Sequence, residues 1–265
     1  MNKRKLLLVA LSLCMVAILA MGGTLAYLTD TDQETNTFTV GNVKIDLIEN
    51  FDEEHAHLIP ATGSAQDGSL KNGITKEVFV KNTGSEKAYV RVHIAIPSIL
   101  DNGDPTFDAG KNVLHFNAPK ANYQDGLWNW STTVDGNKDL GENQMVNGTW
   151  NFYTVNLPVK PAEGEKQISY NVYVVTFEAS LDAGVQTCAA MNQVYLDKKV
   201  SSADMEKLQA ALGTSWNIEV KAEGAQVAGF ENAYDALNTS FGVPSSTNNP
   251  WAGYTTDGTT ALPTT

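Results

Sequence analysis

Short runs in which apolar and polar residues alternate recur along this sequence, and they constrain the fold more than any other feature. The clearest runs are residues 74–81, 88–96 and 167–179, which are rich in β-branched and aromatic side chains. A period of two puts alternate side chains on opposite faces of a β-strand, so each run predicts a strand with one buried face. In the second run, the predicted inward residues are Val90, Val92, Ile94 and Ile96. The predicted outward residues are Tyr89, Arg91 and His93.

The first two runs are separated by a turn-forming stretch, Asn-Thr-Gly-Ser, at residues 82–85. Two alternating runs joined by a short loop with a glycine are typical of a β-hairpin. We therefore predict that strands 74–81 and 88–96 pair with each other. Further strands are predicted at residues 38–48, 113–117, 127–133, 149–157 and 216–222.

Two segments in the C-terminal half replace this alternation with helical spacing. Ser201 and Asp204 form a capping-box pattern that predicts the start of one helix, and Gly213 predicts its end. The second helix is predicted over residues 231–241, where aromatic and leucine side chains share one face. The predicted fold class is therefore mainly β. We expect a jelly-roll-like β-sandwich over residues 38–243, with two short helices in the C-terminal half.

The N-terminus has the three zones of a secretory signal peptide. Three basic residues at positions 3–5 precede an apolar run of 15 residues, 6–20, and small or weakly polar residues follow. This order predicts a signal peptide, residues 1–26, that is cleaved between Ala26 and Tyr27. A membrane-anchoring helix is the alternative, although a spanning helix needs about 20 apolar residues. We therefore expect a secreted protein with no stable membrane anchor after cleavage.

Both ends of the predicted mature chain are polar. Residues 27–37 mix acidic and threonine side chains and are predicted to be flexible, and residues 244–265 are predicted to be a disordered tail. Removing the signal peptide takes away three basic and no acidic residues, so the net charge falls from −12 to −15. Because an acidic chain repels nucleic acid, we expect no nucleic-acid partner.

The two cysteines cannot form an intramolecular disulfide in the predicted mature chain. Cys14 lies in the signal peptide, so cleavage leaves Cys188 alone. Cys188 lies in an apolar stretch without the neighbours of a catalytic cysteine, and we favour a core position over a nucleophile.

One local cluster contains metal-ligating residue types, namely Glu53, His55 and His57. A zinc peptidase of the zincin type needs two histidines four apart on a helix with a glutamate between them, and that spacing is absent. We favour a solvated acidic loop and expect no catalytic residue and no cofactor. These three residues remain the metal candidates.

Two groups of oxygen-bearing side chains have the residue types of calcium ligands, namely Asp101, Asp104 and Asp108, and Asp135, Asn137 and Asp139. The second group has Leu140 where a calcium loop needs glycine. We interpret both groups as turns, with calcium binding as the alternative.

A resemblance to a known family rests on several segments. Residues 22–31 read GGTLAYLTDT and residues 36–47 read NTFTVGNVKIDL. Residues 80–84 read VKNTG, and residues 89–92 read YVRV. These segments resemble Gram-positive proteins processed by the SipW-type signal peptidase, the family that includes TasA and camelysin (CalY). The C-terminal region, from residue 225 to residue 242, is also similar in outline.

The resemblance implies a secreted jelly-roll β-sandwich that forms fibres of the biofilm matrix or cell surface, by self-association or with other matrix proteins. In such fibres the N-terminal segment of each subunit adds as a strand to its neighbour and satisfies an exposed sheet edge. The candidate donor here is residues 27–40, with Tyr27, Leu28, Phe38 and Val40 as its assembly residues.

Two other functions remain as alternatives to a non-enzymatic structural protein. One is a camelysin-like metallopeptidase, which follows from the same resemblance. The other is a carbohydrate- or host-binding adhesin, in which Trp128, Trp130 and Trp150 would form an exposed aromatic platform. Core packing is the competing interpretation of these tryptophans.

Overall fold

The computed structural model describes the chain in sections. These are residues 29–32, 43–51, 58–63, 69–101, 113–117, 127–130, 153–163, 166–213, 217–253, 255–256 and 260–261. The strands are β1 (Thr29–Asp32), β2 (Ile45–Phe51), β3 (Ile74–Asn82), β4 (Ala88–Pro97), β5 (Leu114–Asn117), β6 (Trp128–Asn129), β7 (Tyr153–Leu157), β8 (Ile168–Leu181), β9 (Met191–Leu196), β10 (Glu219–Gln226), β11 (Thr255–Thr256) and β12 (Thr260–Ala261). The α-helices are α1 (Ser202–Leu212) and α2 (Ala233–Phe241), and a short 3-10 helix spans Ser98–Leu100.

Two antiparallel sheets form the body of the protein. The first sheet has the order β1-β10-β4-β8-β6, and β7 pairs with another stretch of β8. The second sheet has the order β2-β3-β9-β5, and β11 pairs with β12 separately. This arrangement confirms the mainly β prediction with two helices in the C-terminal half. The jelly-roll order of strands stays a prediction.

The main core lies where the inward faces of the two sheets meet. The four residues predicted to face inward from β4 all belong to it, and β3 contributes Val78 and Val80. Each fully buried aliphatic side chain of this size contributes about 1.5–3 kcal/mol. The alternation in the sequence therefore identified the correct core face of β4.

The predicted hairpin between β3 and β4 is wrong, because the two strands belong to different sheets. The connection between them is organised by Asn82, which is fully buried. Its Nδ2 donates to the backbone oxygens of Glu86 at 2.7 Å and Leu181 at 3.0 Å, and its Oδ1 accepts from Gly84 N at 3.0 Å. A short loop with glycine can connect two strands of one sheet or two strands of different sheets. Here the apolar faces meet across the core instead of lying side by side.

A third layer covers the other face of the first sheet. We call it the outer layer, and it consists of α2 and residues 243–253. The apolar stripe of α2, including Leu237 and Phe241, packs on Tyr89 of β4 and Ala225 of β10. Consequently every residue of β4 is buried, on both faces. Tyr89, Arg91 and His93 point away from the main core, as predicted, but that face is covered as well, so the expectation of only one buried face is wrong.

Residues 244–253, which the composition predicts to be disordered, form a packed turn. Asn249 is fully buried. Its Nδ2 donates to the backbone oxygens of Ser245 at 2.9 Å and Ser246 at 3.1 Å, and its Oδ1 accepts from Trp251 N and Ala252 N, both at 3.0 Å. Serine and asparagine are frequent in disordered tails, but their side chains also satisfy backbone groups in turns.

The helix boundaries follow the capping signals. The capping box between Ser201 and Asp204 is present, as predicted. Asn232 caps α2 by accepting from Asp235 N at 2.9 Å. Both helices end at a glycine with positive φ, 84° at Gly213 and 76° at Gly242, where a side chain would be strained.

Candidate functional site

Strand β1 forms an edge of the first sheet. It runs antiparallel to β10 of the same chain, with Thr29 opposite Ala225 and Asp32 opposite Ala222. Residues 27–37 were predicted to be flexible, so this paired stretch corrects the prediction at residues 29–32. The pairing depends on backbone groups, which any polar sequence supplies, and alternation of side chains therefore gives no signal for it. Without β1, strand β10 would present an open edge.

The inward face of β10 is built from small residues. Ala222 is fully buried in the main core. At Gly224, a Cβ atom would lie 2.8 Å from Ile45 Cγ2, so β2 can pack against β10 only because this position is glycine. Strand β10 thus has β1 on one edge, β4 on the other and β2 close to its inward face.

The outward face of β10 carries a buried ionic cluster. Glu223 lies opposite Arg91 of β4 in the ladder, and their side chains are 0% and 2% exposed. Arg91 Nε donates to Glu223 Oε2. The guanidinium also donates to Asn238 Oδ1 at 2.9 Å and to Gly242 O at 3.1 Å. Arg91 therefore ties the first sheet to α2 and to the residue that ends it.

His93 lies beside this ion pair, fully buried. Its Nε2 is 3.1 Å from Glu223 Oε1 without meeting hydrogen-bond geometry, and its Nδ1 is 2.8 Å from Tyr153 Oη. Burial lowers the pKa of His93, and the neighbouring Glu223 carboxylate opposes that effect only in part. Burial also raises the pKa of Tyr153. We assign a neutral imidazole with its proton on Nε2, which accepts a hydrogen bond from Tyr153 at Nδ1.

Lys221 connects the cluster to residues 243–253. Its Nζ donates to Pro250 O at 3.2 Å and lies 5.5 Å from the centre of the Trp251 ring. Trp251 Nε1 in turn donates to Glu219 Oε2 at 3.1 Å. Burial lowers the pKa of Lys221 to about 8, while Glu219 acts in the opposite direction. The cluster as a whole fastens the outer layer to the first sheet, and its ionisable groups are buried rather than open to a substrate.

Most of the predicted site residues lie outside the described sections of the chain. They are Ala26, Tyr27, Leu28, Phe38 and Val40 of the cleavage and donor segment, Glu53, His55 and His57 of the metal candidates, and Trp150. The remaining acidic candidates for calcium, apart from Asp101, also lie outside. The predictions for these residues therefore stay predictions.

Two of the three platform tryptophans are core residues. Trp128 and Trp130 are 4% and 3% exposed and belong to the main core. Trp128 Nε1 donates to Cys188 O at 3.0 Å. Cys188 itself is half-buried and packs against the same core. An exposed platform built on these two tryptophans is thus excluded.

Asp101 acts as a buried hydrogen-bond acceptor. Its Oδ2 accepts from Tyr173 Oη at 2.5 Å and from Asn171 Nδ2 at 2.8 Å. Burial, together with the Asp101 charge, raises the pKa of Tyr173. These contacts give Asp101 a role in joining the end of β4 to β8.

His115 of β5 is also buried. Its Nε2 lies 2.7 Å from Asp197 Oδ2, and its ring packs at a tilt against the Tyr195 ring with 5.3 Å between centroids. Burial lowers the pKa of His115, against the influence of Asp197. Among the described residues, no group of three or more histidine, cysteine, aspartate or glutamate side chains is arranged to hold a metal ion.

Sequence reasoning missed the roles of Arg91, Lys221, Glu223 and Trp251. A signal for them did exist, because the apolar stripe of α2 requires a surface to cover. The polar faces of β4 and β10 could have provided that surface, but their polar side chains predicted faces exposed to solvent.

Comparisons with known proteins identify no relative. No family model, curated protein or solved structure matches the chain. Within the described sections, the structure contains no helix that is both long and apolar enough to cross a membrane.

Proposed function

We propose that this protein is an exported structural subunit of a biofilm matrix or cell surface, and that it assembles into fibres by strand exchange. Export is supported by the three zones of the N-terminus. Fibre formation is supported by the resemblance of residues 22–31 and 36–47 to the SipW-dependent family.

The observation that carries the proposal is the position of β1 at the edge of the first sheet. A strand of four residues contributes few ladder hydrogen bonds, and β10 would offer the same backbone groups to an identical strand from another copy. The donor proposed from the sequence, residues 27–40, contains β1. In the fibre, the donor of one copy replaces β1 of the next.

The connection after β1 is ten residues long. Residues 33–42 separate β1 from the described start of the domain at Val43. Ten extended residues reach about 33 Å. A contact of this kind joins different surfaces on the two copies, so it continues as a filament unless the rotation closes a ring.

Sedimentation and electron microscopy of the mature protein test the proposal. Intact protein should form fibres, whereas a variant without residues 27–35 should stay a folded monomer. A labelled synthetic peptide of residues 27–40 should then bind the truncated variant with one peptide per chain. A peptide with the same residues in scrambled order is the matched control. Equal sedimentation of intact and truncated protein, or equal binding of both peptides, contradicts strand exchange.

A further inference from the structure

Residues 243–253 are anchored to the first sheet through two charged side chains of β10. Lys221 Nζ donates to Pro250 O and lies over the Trp251 ring, and Glu219 accepts from Trp251 Nε1. Trp251 also packs against an apolar cluster that includes Tyr153 and Val174. Beside that packing, the polar contacts are few compared with the ladder of eight residue pairs that joins β10 to β4. Segments held by few contacts open at lower free energy than the sheets beneath them.

His93 lies next to the contact between Lys221 and Trp251 that fastens residues 243–253 to the sheet. In the ladder between β4 and β10, His93 lies directly opposite Lys221. Its ring also meets the Trp251 ring edge-on, with 6.3 Å between centroids. A change of charge on His93 therefore acts on both members of the Lys221–Trp251 contact.

Every charged or titratable described group that faces His93 can be named. Strand β10 contributes Lys221 and Glu223, β4 contributes Arg91, and β7 contributes Tyr153. On β8, the residue opposite His93 is Val174, which carries no charge. The Glu223 carboxylate is shared, since Oε2 accepts from Arg91 Nε and Oε1 lies 3.1 Å from His93 Nε2, and it opposes the effect of burial on the His93 pKa only in part.

We propose that His93 is a pH-sensitive latch, which holds residues 243–253 on the first sheet when its imidazole is neutral and releases them when it is protonated. Protonation places a cation directly opposite Lys221, and like charges in this position destabilise a sheet pair. It also converts Nδ1 into a donor, so Tyr153 loses the acceptor of its hydroxyl proton. Opening the segment relieves both effects by admitting water to His93.

The direction of the pH dependence follows from burial. In the closed form burial lowers the pKa of His93, whereas a solvated imidazole in the open form titrates near 6.5. The open form therefore binds the proton more tightly and gains population as the pH falls below about 6.5. For one proton, the opening constant should rise by about tenfold per pH unit, until the closed form is protonated too. Since the pKa of Lys221 is about 8, Lys221 is already charged throughout this range.

Hydrogen exchange measured by mass spectrometry tests the latch. Protection factors should be compared between pH 8 and pH 5. A protection factor divides the intrinsic exchange rate by the observed rate, so the pH dependence of intrinsic exchange cancels. Peptides covering residues 243–253 should lose protection by about tenfold per pH unit below about 6.5. Peptides covering β8 should keep their protection, because the sheet itself does not open.

Two histidine variants separate the latch from general acid sensitivity. In His93→Gln the protection of residues 243–253 should no longer depend on pH. The matched control His115→Gln removes the buried histidine of the second sheet and should keep the wild-type pH dependence. If His93→Gln does not fold, His93→Asn provides the test, because it also removes the titrating imidazole, and protection of residues 243–253 should again be independent of pH. Protection that is independent of pH in the wild type, or that falls equally in β8, overturns the proposal. So does a pH dependence retained by His93→Gln.

Discussion

Replacing Glu223 by glutamine removes the carboxylate that pairs with the buried Arg91 guanidinium while keeping the size of the side chain. Both side chains are 2% exposed or less, so water cannot replace the lost charge. Removing one partner of a buried ion pair costs about 3–5 kcal/mol. Because glutamine keeps one oxygen that can accept from Arg91 Nε, we expect the lower end, about 3 kcal/mol. For a domain of this size that corresponds to a fall of roughly 6–12 °C in Tm.

Urea denaturation followed by circular dichroism measures this loss as a lower midpoint at unchanged slope. The matched control is Asp182→Asn, which breaks the ion pair with Lys87, where both side chains are more than half exposed. Solvent screens that pair, so its midpoint should not move measurably. If Glu223→Gln and Asp182→Asn give the same midpoint, the buried pair does not stabilise the outer layer as argued.

Three further outcomes are expected. Gly224→Val should destabilise the protein by about 1–3 kcal/mol, because its Cβ would meet Ile45 Cγ2, and adding Ile45→Ala should recover part of that loss in the same denaturation assay. N-terminal sequencing of protein from the medium should start at Tyr27, whereas a product that retains residue 1 would refute cleavage. The double variant His55→Ala/His57→Ala should leave folding and any activity unchanged, and zinc-dependent casein cleavage lost in that variant would establish a peptidase instead.

The alternation of residues predicted β3, β4 and β8 and the inward face of β4, because those depend on local polarity, but it did not predict β9. It could not predict which strands pair, since β3 and β4 would show the same pattern in a hairpin or across a core. It also could not predict the burial of His93, which is covered by Tyr153 and Trp251 from much later in the chain. Whether a polar face of a strand is buried can be predicted only when the segment that packs on it is known.

The same reason explains why the ionic cluster was invisible in the sequence. Arg91 and Glu223 are 132 positions apart, and each looks like an ordinary outward residue of an alternating strand. Only the register between β4 and β10 places them opposite each other. For β1, the sequence predicted a segment able to pair, but not that its partner is β10 of its own chain.

Strand β1 and residues 243–253 meet on β10, since β1 pairs with its edge and residues 243–253 are anchored to its outward side chains. We therefore expect the outer layer to influence strand exchange. Trp251→Ala removes the bond to Glu219 and the contact with Lys221, which should loosen β10 and speed uptake of a labelled 27–40 peptide by intact protein.

The control for this experiment is Val243→Ala, in the same segment, because Val243 is 62% exposed and its truncation should not change the uptake rate. The comparison is informative because both variants shorten one side chain of residues 243–253, and only one of them touches β10. Equal uptake by wild type and both variants would show that the β1 edge and the outer layer act independently. Faster uptake by Trp251→Ala alone would establish that β10 couples them, so that a change in the outer layer controls when the edge becomes available to another copy.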